Sequence, residues 1–573
     1  MKHIYYGING ASLAWLTANL SHSHSKILLI CKNIKSLEDR LADLAFFNKE
    51  VETCSLPAWD TLPLELLSPS RDISASRLHA LFKIQHSSGF ICLTTVEALL
   101  QKSLPFKFYE RLAFKLLSGE KVDFENLRTK FISCFYNQTA VVEEPGDLAV
   151  RGNVIDFFPY AAHQPIRVEM QDNTVVRLMS FDVDTQRTTQ DIAECEIIPV
   201  REKLSMLYAD DNELLQMCRS LIKERGKALE VPPSELSTVL EAVNSHTDLP
   251  GIELLHVIGT ENTESLIGCF PRDLQIIIED QSALEEKIDH FFKQVDEHAQ
   301  RLKDEHRLFP APEKLYLSGQ EALLQLSELD NHYVNDIRIE RQSENSADIL
   351  TKHINASSNI ELSTRLKTLI GTGKALKPMS DLLNSWRQQG FRVAFVVGTE
   401  ARAERLQRSL LDLNFDASIR DVSGSAWMRD KERDAFVILL GNLSQGFTLG
   451  SEKIVFISEN EIFPEKSYRK SKPAKITMRR ILNSLSQLAV DDFIVHSDYG
   501  IGIYRGLKHL EIEGVQGDFL QIDYADSKLY LPVHNIGKVQ KFYAGDNQIP
   551  VIDKLSSNRW SKTKLKVKQA LVE

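Results

Sequence analysis

The sequence is short of every feature that announces an obvious chemistry. Its seven cysteines, Cys31, Cys54, Cys92, Cys134, Cys195, Cys218 and Cys269, are scattered without a CxxC pair. That leaves no zinc-ligand spacing and no redox motif, and an odd number of them fits reduced thiols. No window reaches the ~18 consecutive apolar residues of a membrane-spanning helix. The opening MKHIYYGINGASLAWLTANL also lacks the apolar core of a secretory leader, so a cytoplasmic protein with no membrane partner is expected. Positive charge is not in excess either: 68 Lys and Arg stand against 79 Asp and Glu, a net charge of -11. Binding of nucleic acid by bulk electrostatics is therefore excluded, and only local basic patches remain.

What is there is an ordinary globular composition, 43% hydrophobic and 26% charged over 573 residues. Such a length exceeds one hydrophobic core and implies roughly four domains. At the start, the apolar runs HIYYGI, KILLICK, VETCSLPAW and GFICLTT alternate with amphipathic stretches that begin near Ser12, pass through LEDRLADLAFF and resume near Ile73. This alternation predicts an α/β sheet of parallel strands, in which a nucleotide would sit at the first strand-to-helix turn.

Set against G-x-x-x-x-G-K-S, that turn offers Tyr5 for the first glycine, Gly7 inside the loop, Gly10 for the second glycine, Ala11 for the lysine and Ser12 for the hydroxyl. The cationic contact to the β and γ phosphates is missing, so the loop is expected to be degenerate, a turn whose helix-start amides hold an anion weakly at best. Gly371-Thr372-Gly373-Lys374 imitates a phosphate loop, but Ala375 replaces its Ser/Thr and no strand precedes it. Asp296-Glu297-His298 and Asp304-Glu305-His306 imitate a helicase box inside a long charged helical run rather than at a strand end. No catalytic residue and no metal site emerge.

The stretch from Val141 to Arg187 is different. Three alternating runs, VRGNVIDFFP, IRVEM and VVRLMSFDV, are separated by turn residues and predict a small antiparallel sheet. Arg151, Arg167, Arg177 and Arg187 recur along it amid Asp156, Glu169, Asp182 and Asp184. Either these are solvated strand partners, or they form a surface read through forked guanidinium groups.

Later stretches are mainly helical to about Arg338, then α/β again through FRVAFVVGT, AFVILLGNL and EKIVFISENEIF. A basic tether, Lys466 to Arg480, follows with seven basic residues and no acidic one. From Asp491 to Phe542, short alternating strands with Gly500, Gly502, Gly506, Gly514 and Gly517 predict a small, strongly bent β-barrel. The last residues, from Trp560 to Glu573, read as a basic helix.

Order adds what periodicity cannot. GDLAVRGNVIDFFP, PIRVE and FDVDTQRT, taken together, closely resemble the second domain shared by UvrB and the transcription-repair coupling factors. The resemblance implies docking of UvrA, with Arg151, Arg167, Arg177 and Arg187 as the binding residues. An aromatic pair that the family tends to carry near Met170 and Gln171 is missing here. WDTLP and SPSRDISASRL, with Trp59, Asp60, Pro63, Ser68, Pro69, Asp72, Arg77 and Leu78, are similar to the coupling factors' first domain, and so are GIELL, FPRDLQIII, QGFTLG and ISENEIF in later parts. UvrB keeps an intact phosphate loop. The coupling factors have lost it at this turn, as here.

VHSDYGIGIY, DFLQIDYA and KLYLPV resemble the RNA polymerase interaction domain of the coupling factors and of CarD-type regulators. That implies a Tudor/SH3-like barrel that adds to a sheet of the polymerase β subunit, with Phe519, Leu520, Gln521 and Ile522 as the contact and Leu520 its centre.

The fold expected is therefore multidomain α/β. Residues 1–122 and 201–345 form a UvrB-like α/β domain interrupted by a small antiparallel β domain at 123–200. A second small α/β domain at 346–465, a linker at 466–484, the barrel at 485–552 and a basic helix at 553–573 complete it. The function implied is that of a monomeric factor binding stalled polymerase and recruiting UvrA. The ATP, Mg and principal DNA contacts of the family belong to a translocase half with no counterpart in this sequence. The alternatives are a UvrB-type ATPase and a CarD-like transcription regulator.

Overall fold

A computed structural model describes residues 2–49, 51–160, 162–203, 212–245, 249, 251–258, 260, 263–335, 349–359, 376–430, 434–462, 490–496, 499–512, 515–532, 539–541 and 552–554. The Lys466 to Arg480 tether, Gly371 to Lys374 and the segment Trp560 to Glu573 lie outside the described residues. Two compact units divide the chain, 1–466 and 467–573.

In the first unit, a seven-stranded sheet runs in the order Ile349–His353, Lys2–Tyr6, Asp330–Asn335, Gln275–Glu279, Lys26–Cys31, Phe90–Thr95, Thr53–Leu56. Every pairing in it is parallel. Its central strands KILLIC, FICLTT and QIIIE are apolar on both faces because both faces are covered. Leu28, Ile30, Cys92, Ile276 and Ile278 pack on one side against the helices Arg71–His86 and Gln281–Asp304. On the other side Ile27, Leu29, Ile91, Leu93 and Ile277 meet the helices Ser12–Leu20 and Ile34–Phe47. Side-chain oxygens of Asn33, Ser70 and Asp280 cap three of these helices by accepting from amides two or three residues on.

Both helicase-box imitations lie where the charge pattern puts them: Asp296-Glu297-His298 is inside helix Gln281–Asp304, and Asp304-Glu305-His306 is its C-terminal end. His298 Nδ1 sits 2.6 Å from the Pro63 carbonyl, a structural contact.

The inserted domain leaves and rejoins this body through one neck. Its entry strand Phe114–Leu117 pairs antiparallel with its exit strand Glu194–Ile197. Beyond the neck stands a six-stranded sheet in the order Thr188–Asp191, Thr174–Phe181, Ile166–Gln171, Val154–Phe157, Asp147–Arg151, Asn137–Gln138. Leu148, Ile155, Phe157, Ile166, Val168 and Leu178 turn inward onto Leu127 and Phe131 of helix Phe124–Ser133.

A second α/β sheet follows, in the order Ala356–Ser358, Phe447–Leu449, Ile454–Ser458, Arg392–Val397, Phe436–Leu440, Ser418–Arg420. The boundary expected at 346 falls too early. Strand Ile349–His353 completes the first sheet beside Lys2–Tyr6, and the second sheet begins only at Ala356. The two sheets share a core: Phe46 and Phe47 stack edge-on against Phe456 at 6.0 and 5.4 Å between centroids, beneath Val396, Val437 and Leu439.

The second unit holds a five-stranded antiparallel sheet, ordered Lys528–Pro532, Val515–Asp523, Gly500–Ile512, Phe493–His496, Val539–Lys541. Its long strand bends where the register shifts between Tyr504 and Leu507, around Gly506 at φ +97°. Among the described residues these strands form a bent sheet, with no pairing between the two outer strands that would close the expected Tudor/SH3-like barrel.

Candidate docking surfaces

Alternation along the inserted sheet puts every second side chain on the face opposite its core. Register then builds two rows: Ala149, Asp156, Arg167, Met179 and Asp191 in one, and Arg151, Val154, Glu169 and Arg177 in the next. Arg151, Arg167 and Arg177 thus share one face.

Asp156 is the centre of that face, only 1% exposed. It accepts from Arg167 Nε at 2.7 Å and Nη2 at 2.9 Å, a forked pair, and from Arg151 Nη2 at 3.0 Å. The Arg167 guanidinium lies 4.8 Å over the Phe181 ring and also donates to the Gln186 carbonyl. Its pKa is raised, chiefly by the bonds to Asp156. One carboxylate therefore fixes two guanidinium groups in place.

Arg177 is looser, with a single exposed pair to Asp191 at 2.8 Å. Arg187 follows the strand in a turn tied by Asp182, whose Oδ1 accepts from Thr185 N and Oγ1 at 2.8 Å each; those bonds lower the Asp182 pKa. The Arg187 side chain is exposed and makes no ion pair among the described residues.

The WDTLP segment carries a resemblance in sequence but no local chemistry. In the structure it grips the neck. Arg77, wholly buried, donates from Nε to Glu202 at 2.6 Å and from Nη1 to the Pro57 carbonyl at 2.7 Å, while Trp59 Nε1 reaches the other Glu202 oxygen at 3.3 Å. Beside it Ser68 bonds Glu253, whose pKa burial pushes up. Arg77 and Glu202 stand 125 residues apart, beyond what any local pattern can pair.

The degenerate turn is also occupied. Gly7 and Gly10 take φ of +71° and +58°, and Ala11 and Ser12 are fully buried. Ser12 Oγ closes the turn by donating to the Asn9 carbonyl at 2.7 Å and accepting from Asn9 N. Ala11 N donates 3.1 Å to the Gln445 carbonyl of the second α/β module.

In the C-terminal sheet one expectation is corrected. Phe519, Leu520, Gln521 and Ile522 lie in strand Val515–Asp523, which is bonded on one side to Gly500–Ile512 and on the other to Lys528–Pro532. Its ladder groups are already used, so it cannot take a partner strand. Leu520 and Ile522 are 0% exposed core residues, Gln521 is buried and Phe519 half-buried. Two strands have an unpaired outer side among the described residues, Lys528–Pro532 and Val539–Lys541, and the first carries exposed Tyr530.

Among the described residues no group of three or more His, Cys, Asp or Glu side chains could hold a metal ion, and no helix is long and apolar enough to cross a membrane.

These surfaces define a multi-modular chain, and three family models match it: a UvrB interaction domain over residues 114–202, an MFD D3 domain over 387–462, and a CarD-like/TRCF RID domain over 488–543. The first begins at the entry strand of the neck, Phe114–Leu117, and runs past the exit strand paired with it. Along nearly its whole length the chain is similar to transcription-repair-coupling factors. It is 27% identical to that factor of Myxococcus xanthus over 99% of the chain and 48% of the relative. To that of Escherichia coli it is 25% identical over 98% of the chain and 47% of the relative, and to that of Bacillus subtilis 24% over 100% and 47%. The chain spans about half the length of the curated relatives it matches.

Proposed function

We propose that this chain is a two-handed docking scaffold of transcription-coupled DNA repair, one hand for UvrA and the other for RNA polymerase. The observation that carries the first hand is the Asp156-ordered arginine face on a UvrB interaction domain. Arg151 and Arg177 offer half-exposed guanidinium groups and Arg187 an unpaired one, suited to carboxylates on the UvrA surface. Arg167 acts beneath them as much as with them, since its fork neutralises Asp156.

The second hand is the CarD-like sheet, and its partner is the polymerase β subunit. Strand addition there uses the outer side of Lys528–Pro532 rather than Phe519 to Ile522. The chain works as a monomer in the cytoplasm and hydrolyses no ATP itself, because Ala11 stands in place of a phosphate lysine and its amide is already bonded. ATP-driven displacement of polymerase and the main grip on DNA belong to a motor half of the family.

Surface-immobilised chain tests both hands. Arg151→Ala with Arg187→Ala should weaken UvrA capture at least tenfold and leave β-subunit capture unchanged. Tyr530→Asp should do the reverse. Unchanged UvrA affinity in the double variant removes the arginine face from the interface.

A further inference from the structure

The geometry points to a second role for the degenerate phosphate turn: it is a socket for the chain's own loop Ser444-Gln445-Gly446, and this plug joins the two α/β modules. Three contacts converge there from both sides. The Ala11 amide, which in a working loop faces phosphate, donates to the Gln445 carbonyl at 3.1 Å. An ideal Cβ on Gly10 would stand 2.5 Å from the Gly446 oxygen and 3.2 Å from that of Gln445, so the loop fills the space above the turn. Asp43, fully buried on helix Ile34–Phe47, accepts from Ser444 N and Oγ at 2.7 Å each.

Arg40 ties these together, donating to the Gly10 carbonyl and pairing with Asp43 at 3.2 Å. On the far side the plug is held rigid: Gly446 N donates to the buried Glu461 carboxylate at 3.1 Å, and Glu461 also takes Ser458 N at 2.9 Å. The QGFTLG and ISENEIF strings, to which sequence attaches no chemistry, therefore form the plug and its backing.

The occupant is a neutral carbonyl, and this follows from the residues. A helix start without a lysine attracts an anion weakly, whereas a backbone carbonyl delivered by a folded loop carries no desolvated charge. Asp43 gives the seat its direction: a buried carboxylate is poor stabilisation but strong placement, because leaving it unpaired is costly. The two modules thereby behave as one body.

Hydrogen exchange on the full chain tests this. Gly10→Ala obstructs the plug from the socket side, and Ser444→Ala removes a bond from the plug side. Either change should speed exchange at least tenfold both at residues 8–14 and at residues 442–447, while the Lys26–Cys31 amides stay protected. Acceleration confined to the mutated side overturns the proposal. So does slower exchange at residues 8–14 of the unmodified chain when millimolar pyrophosphate is added, which would mean that the turn still takes anions.

Discussion

Asp156 and Asp43 are both buried carboxylates, 1% and 0% exposed, but they are held differently. Asp156 receives three guanidinium hydrogen bonds across the outer face of a sheet, so its burial is matched by charge. Asp43 has one arginine at 3.2 Å and two serine donors, and burial outweighs them, raising its pKa to about 6. A carboxylate fully countered by arginine can organise a surface for a partner. One countered mainly by neutral donors is suited to a seam that stays closed.

The comparison breaks most sharply where a charge is inserted with no counterpart. Leu520→Arg places a cation in the C-terminal core, and roughly 5 kcal/mol is expected to be lost. Circular dichroism and exchange in Val515–Asp523 should report unfolding of that sheet; polymerase binding lost with the sheet intact would contradict this and restore Leu520 as a contact.

Next in size is Arg167→Ala. It leaves Asp156 with Arg151 alone, at a cost of about 3 kcal/mol read as exchange in Ile166–Gln171 and Thr174–Phe181. A loss below about 1 kcal/mol would make Asp156 no better countered than Asp43.

The pH response reports on Asp43. Asp43 has a folded pKa above its unfolded value, so the folded state binds its proton more tightly. Its contribution to stability is full below pH ~4 and is lost as pH rises through about 6, a change of up to about 3 kcal/mol. The stability difference between the unmodified chain and Asp43→Asn should shrink between pH 4 and pH 7, measured by thermal unfolding. A difference growing over that range would mean the carboxylate form is favoured instead. The smallest effect belongs to Arg177→Ala, whose exposed pair with Asp191 contributes under about 0.5 kcal/mol, so that any loss of UvrA binding reports contact and not folding.

How far the sequence was legible follows the same physics. The alternation in VRGNVIDFF and IRVEM made a small antiparallel sheet legible, but that Arg151, Arg167 and Arg177 share one of its faces depends on strand register. DFLQIDY alternates too, yet both of its faces end up largely covered, and period alone could not tell an inner strand from an edge. Loss of the phosphate lysine was plain at Ala11. What replaced the phosphate was not, since Gln445 arrives from 434 residues away.

The sequence by itself determined the parallel α/β start, the inserted arginine-bearing sheet, the missing lysine of the phosphate turn and the resemblance that ties them together. Those features are local, written in periods of two and 3.6 residues and in short strings. Only the tertiary structure decided that Arg77 clamps the neck through Glu202, that Asp156 orders two arginines, and that the second α/β module fills the empty turn. Each of these depends on long-range contacts and on which groups are removed from water, and burial is a property of the folded whole.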